Sequence, residues 1–282
     1  MTLSVVIITF NEEANLGRTL ASVQPLVADG KGEIIVVDSG STDRTVEIAR
    51  THGAKVFVEE WKGYAAQKNS AIDKAEGDYI FSLDADEEVS DELAQEIRGV
   101  VKYPPQGDKF RQKLSDGTSS PIFVNGFWMP RRNYFLGRWI KRGGFWPDCK
   151  LRLFRRGSGR FKEAAVHEIL EVEEYSSNGI VLSSGRLRGA LLHHSYPTLS
   201  DYIDHMNRYS SLGAEMAVAK GQGGFSLFNI VVRPLATFVY NYFFRLGFLD
   251  GREGLLLHHY HAVYVSWKYA KAWELAGKKE PT

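Results

Sequence analysis

Two carboxylates one residue apart, Asp84 and Asp86, close an apolar run that starts at Asp78. At the end of such a run they can point the same way into a cleft and hold a hard divalent cation. Mg2+ or Mn2+ takes few protein carboxylates and completes its shell with substrate phosphates and water. The stretch from Asp86 to Glu92 also precedes an apolar helical pattern, so a solvated acidic helix N-terminus is the other reading of the same residues. Asp38 favours the metal, because it closes a neighbouring run, Glu33 to Val37, and leads into Ser39-Gly40-Ser41. A third polar string, Asn11-Glu12-Glu13, follows the run from Leu3 to Phe10. That string lacks the Gly-x-Gly-x-x-Gly of a dinucleotide cradle, and no Gly-Lys-Ser/Thr P-loop is present, so both common phosphate cradles are excluded.

The elements that must position these residues are legible from periodicity. Leu3 to Phe10 is β-branched and apolar, and Leu16, Leu20 and Val23 then recur at helical spacing. Strand, helix, strand and helix continue through Glu33–Val37, Thr45–Thr51, Ala54–Val58 and Tyr64–Lys74 to Asp78–Leu83. Alternation of this kind predicts a mostly parallel central sheet flanked by helices, an α/β fold. In such sheets ligands bind beyond the carboxyl ends of the strands, where the three polar strings fall.

The chain of 282 residues is 44% hydrophobic and 24% charged, enough apolar residue for a folded core. Its single cysteine, Cys149, excludes an internal disulfide framework and a multi-cysteine zinc site. A net charge of +1 conceals a division: residues 1–100 carry −10 and residues 101–282 carry +11. Ten basic residues lie between Arg131 and Arg160 against one acid, Asp148. A basic half of this kind fits an anionic partner, and a solvated basic face is the plainer alternative. The N-terminus lacks the basic region of a signal peptide. The most apolar stretch, Phe225 to Phe244, carries Arg233 near its middle, which disfavours a spanning helix and allows a surface-lying one.

The strings SVVIITFNEEANL, IIVVDSGSTDRTVEIA, KNSAIDKAEGDYIFSLDADEEV, PDCKLRLFRR and FLDGREGL resemble family 2 of the glycosyltransferases, in the branch that holds lipopolysaccharide-core glucosyltransferases. The resemblance implies the GT-A nucleotide-diphospho-sugar transferase fold with a C-terminal helical extension. It divides the chain into a nucleotide-sugar half (1–100), an acceptor-binding half of the same catalytic domain (101–225) and an amphipathic extension (226–282). It implies that Thr9, Asn11 and Glu12 border the nucleotide, that Asp38 recognises uracil or ribose, and that Lys68 and Asn69 line the nucleotide cleft. Asp84 would contact ribose or metal, and Asp86 would be the principal ligand of Mg2+ or Mn2+.

The family's reaction inverts the anomeric carbon and needs a base for the acceptor hydroxyl. Glu168 is favoured, with His167 beside it available for metal or phosphate, and Asp148 is the second choice. Arg131, Arg132, Trp146 and Arg152 belong to a cluster of arginines and aromatics suited to stacking on sugar and clamping phosphate, or to core packing. The acidic first half argues against nucleic acid as the partner. After Pro234, the residues Leu235, Phe238, Val239, Tyr242, Phe243 and Leu246 form one helical stripe, expected at a membrane surface or against a second copy in a homodimer. His258, His259 and His261 are expected on the polar face of a last helix.

The expected protein is a metal-dependent inverting enzyme, cytoplasmic and peripheral on the inner face of the cell membrane. It moves a hexose from a UDP-sugar to an anionic glycolipid or saccharide acceptor. A polyprenyl-phosphate sugar transferase and a non-catalytic sugar-nucleotide-binding protein are the alternatives.

Overall fold

A computed structural model describes residues 1–30, 32–113, 119–163, 168–173, 176–177 and 180–277. β1 (Leu3–Thr9) is buried on both faces, as its unbroken apolar run requires. It pairs in parallel with β2 (Gly32–Asp38) on one side and β4 (Tyr79–Asp84) on the other, and β2 pairs in parallel with β3 (Lys55–Val58). The intervening helices are α1 (Leu16–Val27), α2 (Thr45–Thr51) and α3 (Tyr64–Asp73). Leu16, Leu20 and Val23 of α1 are buried on the core, at the spacing that predicts them.

The acidic string after β4 divides between two structures. Glu87–Val89 forms a short strand, β5, and only then does α4 (Asp91–Lys102) begin, with the Ser90 hydroxyl accepting from the Leu93 amide. Asp91 and Glu92 occupy the first helical turn, where the exposed amides favour acids. Asp84 and Asp86 are thereby set apart from the helix.

Beyond the parallel nucleus the sheet becomes mixed. After β6 (Gln106–Lys113) come β7 (Ser119–Phe135), β8 (Arg138–Trp139), β9 (Asp148–Arg155) and β10 (Gly159–Lys162). They are followed by β11 (Ile169–Val172), β12 (Ser176–Ser177), β13 (Ile180–Arg186) and β14 (Leu191–Tyr196). The order across the main path is β12-β13-β7-β9-β4-β1-β2-β3. β9 runs antiparallel to β4, and β14 runs antiparallel to β5 with His193 opposite Glu87.

The chain forms two compact units, one of residues 1–131 and 149–193, the other of residues 132–148 and 194–282. In the second unit α5 (Leu199–Ala219) opens with a reciprocal cap between Thr198 and Asp201. It packs on α7 (Gly251–Gly277) through small residues, Ala214, Ala217 and Ala272, that let the helix axes approach.

Between α5 and α7 the segment after Gly224 does not form the single α-helical stripe that its spacing predicts. α6 (Arg233–Val239) is flanked by π-helical turns at Phe228–Val232 and Tyr240–Phe244. A π turn advances more residues per revolution, so positions spaced for an α-helix rotate out of line. Leu235, Phe243 and Leu246 are exposed, while Phe238, Val239 and Tyr242 are half-buried. The C-terminal histidines also part company: His259 is exposed, but His258 is 1% exposed, inside α7's packed side and not on its polar face.

Candidate active site at the carboxyl ends of the parallel strands

The registers bring the chemistry-bearing strand ends level. Thr9 lies opposite Asp38, and Ile8 lies opposite Asp84. The loops after β1 and β2 are laced together above them. Thr9 Oγ1 donates to Asp38 Oδ1 (2.8 Å), and the amides of Gly40 and Ser41 donate to Asp38 Oδ2 (3.0 and 2.8 Å). Ser41 Oγ also donates to Asp38 Oδ1 (2.5 Å). Asn11 adopts the left-handed region (φ 54°), where its Oδ1 accepts from the Thr42 amide (2.9 Å) and its own amide donates to Ser41 Oγ (2.8 Å). The Glu12 amide donates to Thr45 Oγ1 (2.7 Å). Asp38 is fully buried with both oxygens occupied, so it shapes this turn instead of presenting a free carboxylate to uracil or ribose.

Behind Asp84 runs a chain of alternating charge. Lys68 Nζ donates to Glu168 Oε1 (2.5 Å) and to Asp84 Oδ1 (2.7 Å). Arg152 donates to Asp84 Oδ2 and to Glu87 Oε1 (3.0 Å), and Arg131 meets the same Glu87 oxygen at 3.0 Å. Glu87 Oε2 accepts from the Asp84 amide (3.1 Å). Glu87, Arg152 and Lys68 are all buried, so each charge has an opposite neighbour in place of water. Burial alone would raise the Asp84 pKa, yet the Arg152 guanidinium and the Lys68 ammonium hold it well below the usual carboxylate range. The two carboxylates likewise raise the Arg152 pKa, against the effect of its burial.

Asp86 has a different environment. Its Oδ2 lies 3.1 Å from His193 Nε2, and the pairing of β14 with β5 is what brings that imidazole to the loop. Burial opposes ionisation of Asp86, and the His193 ring lowers its pKa overall. Glu12 shows the opposite sign: burial raises its pKa, the Asn15 amide opposes, and the charges of Asp86, Asp43 and Asp84 raise it further. Burial is the largest cause, and the smaller push from three neighbouring carboxylates marks the acids gathered around Glu12.

These residues fit a divalent cation in a limited way. Among the described residues no cluster of three potential ligands exists. Asp84 is already neutralised by Lys68 and Arg152, which leaves Asp86 and His193 as an oxygen and a nitrogen donor beside the acids around Glu12. Two protein donors suffice for a cation whose other ligands are phosphate oxygens and water.

The remaining expected residues fall elsewhere. Asn69 ties α3 to β10, donating to the Phe161 carbonyl (2.8 Å) and accepting from the Phe161 amide (2.9 Å), so its side chain is committed to structure. Arg131 and Arg152 are counter-ions of Glu87 and Asp84, not an acceptor surface. Arg132 and Trp146 belong to the second unit, where the Arg132 guanidinium covers the Trp139 ring (4.7 Å) and Trp146 meets that ring edge-on (5.2 Å). Asp148 is also in that unit, bonded by Asn133 Nδ2 (3.1 Å). His167 lies outside the described residues. Sequence reasoning does not single out His193, and it leaves Arg152 between acceptor binding and core packing. The signal for both was their setting in apolar strands, where a lone charge or imidazole needs a partner. Gln67, fully buried with neither amide atom bonded, is a further polar group at this helix that sequence reasoning left without a role.

The family description Glycosyl transferase family 2 matches residues 4–158. An uncharacterised glycosyltransferase of Rickettsia felis is 50% identical over 258 residues, 90% of this chain and 83% of its own. The lipopolysaccharide core biosynthesis glycosyltransferase LpsC of Rhizobium meliloti is 28% identical over 278 residues, 96% of this chain and 92% of its own. Among solved structures, a mannosyltransferase from Pyrobaculum calidifontis in complex with GDP-Man and Mn2+ aligns over 99% of this chain and 88% of that one, at 16% identity and a TM-score of 0.49.

Proposed function

The chain belongs to glycosyltransferase family 2 and is a nucleotide-sugar-dependent glycosyltransferase with the GT-A fold; from that premise we propose that it transfers a hexose from a UDP-sugar, with inversion, to an anionic glycolipid or saccharide of the lipopolysaccharide core or a similar cell-envelope glycan. The observation that carries the reading is the pairing of Asp86 with His193 beside an Asp84 that is already neutralised. The name of the LpsC relative supports the acceptor class.

Asp86 and His193 would hold Mg2+ or Mn2+, which when bound offsets the charge left on the nucleotide diphosphate as the glycosidic bond breaks. The protein's own residues supply the rest. Lys68 fixes Glu168 by one oxygen, Oε1, and the second oxygen accepts the proton from the attacking acceptor hydroxyl. Lys68 and Arg152 keep Asp84 ionised and oriented by its two oxygens at the end of β4. Thr9, Asn11, Glu12 and Asp38 give the nucleotide a rigid wall, because their loops are bonded to each other before any ligand arrives.

Attachment to the inner face of the cell membrane is part of the same proposal. No described helix is long and apolar enough to cross a membrane, while the segment from Phe225 to Leu249 exposes many large apolar side chains. A second copy of the chain is the competing cover for that surface.

Transfer from UDP-hexoses to a lipopolysaccharide-core oligosaccharide, measured as product, tests the activity. Asp86→Asn should lower turnover by about 10²-fold or more with an unchanged unfolding midpoint, and EDTA should do the same to the parent. Full transfer by Asp86→Asn in EDTA would overturn the metal assignment.

A further inference from the structure

Twelve large apolar side chains between Phe225 and Leu249 face solvent, Phe244 the most at 75% exposed. At the end of that run the chain forms a pocket of about 380 Å³ lined by Arg138, Trp139, Lys141, Arg142, Leu249 and Asp250. All six residues lie in the second unit.

The pocket is built, not incidental. Buried Asp250 accepts from the Lys141 amide with both oxygens (3.2 and 3.1 Å) and from the Arg142 amide (2.8 Å). The Gly143 amide donates to the Arg245 carbonyl (3.0 Å), so the basic loop and the apolar turn before α7 are one bonded surface. Behind them Gly143 (φ 66°) and Gly247 press on His258. A Cβ would stand 1.9 Å from that ring at Gly143 and 2.3 Å at Gly247, so only glycine permits the approach.

The charge in this pocket is not used internally. Asp250 is occupied by the backbone amides of Lys141 and Arg142, and among the described residues neither the Lys141 ammonium nor the Arg142 guanidinium is paired with a carboxylate. Lys141 rests over the Trp139 ring (4.4 Å), and Arg138 has a distant partner in Glu253 (3.6 Å). Exposed cations therefore ring a pocket whose lip, Leu249, continues into Phe248, Phe244 and Phe243. A soluble anion would account for the cations and leave the apolar lip unexplained. An anion joined to hydrocarbon accounts for both.

We propose that this pocket receives the phosphate-bearing headgroup of an anionic membrane lipid, while Phe243, Phe244, Phe248 and Leu249 enter the acyl layer beside it. The proposal rests on the membrane attachment given above and adds a site and a lipid class to it.

Flotation of the full chain with vesicles tests it, using phosphatidylcholine alone or with added phosphatidylglycerol. The parent should bind the anionic vesicles about tenfold more tightly. Lys141→Gln with Arg142→Gln should lose that preference, keep the weak binding to phosphatidylcholine, and keep sugar transfer to a water-soluble acceptor. Lys141→Glu alone, at an exposed position, should reverse the preference and serves if the double variant fails to fold. Retention of the preference by these variants would overturn the pocket while leaving membrane attachment standing. If the parent floats with neither vesicle, attachment itself fails and the pocket with it. Stabilisation by inorganic phosphate without flotation would make it a site for a soluble anion, and a dimer that buries Phe243 and Phe244 would replace the lipid with a second copy.

Discussion

Arg152 sits where its loss would be felt twice, because one guanidinium compensates both Asp84 and Glu87 in the interior. Arg152→Met keeps much of the volume and leaves two carboxylates short of a partner, although Lys68 and Arg131 remain on them. The expected loss is about 3 kcal/mol of unfolding free energy, read from the urea midpoint, since breaking a buried pair exposes the desolvation cost of the survivor. A midpoint equal to the parent's would mean that Arg152 contributes nothing as a counter-ion. Glu168 is tested by rate. Glu168→Gln keeps the shape and removes the proton acceptor, so turnover should fall about 10²-fold or more with little change in donor affinity. Asp148→Asn is the matched comparison, and a larger loss there would transfer the role of base to Asp148. Neither charge network could be assembled from sequence. Asp84 and Asp86 were visible because they follow their own strand, whereas Arg152 and His193 reach them only through the pairing of β9 with β4 and of β14 with β5.

Elements governed by local periodicity were the legible ones. β1, α2 and β4 fall where periodicity puts them, since buried parallel strands are continuous apolar runs and their helices repeat near every fourth residue. β5 was hidden because three residues in an acidic string carry no period. The π turns around α6 were hidden because a helical-wheel reading assumes the α period that they break. α7 was legible as a helix but not as the carrier of a buried His258. Burial, with the neighbouring charge of His261, pushes the His258 pKa down to about 4 from an ordinary 6.5. The folded state thus prefers the neutral ring, and the unfolded chain takes up a proton first as pH falls. The stabilising contribution is complete above about pH 6.5 and is lost between there and pH 4, on the order of 3 kcal/mol in all. Thermal midpoints of the parent should drop over that window relative to His258→Phe, and parallel profiles would show that His258 is not the titrating group.

The second unit as a whole depends on α7, which packs along α5 and supports the loop at Gly143. Deleting residues 226–282 would therefore remove half of that unit's framework and confuse attachment with unfolding. Phe243→Ser, Phe244→Ser and Phe248→Ser together alter only exposed positions, so they should lower vesicle binding by about tenfold or more while leaving the thermal midpoint within a few degrees of the parent's. An undiminished affinity would show that the apolar run does not enter the membrane. The division of the chain between units has one more consequence, in time. The polypeptide leaves the first unit after residue 131, returns at 149 and leaves again after 193. On a ribosome adding roughly 5 to 20 residues each second, the first unit must wait several seconds after residue 131 for the strands that complete its sheet. For the first part of that interval, until residue 155 is added, β4 lacks β9, and Asp84 and Glu87 lack Arg152. The nascent chain thus carries Asp84 and Glu87 with Lys68 and Arg131 as their only cationic partners among these four charges until Arg152 has been added.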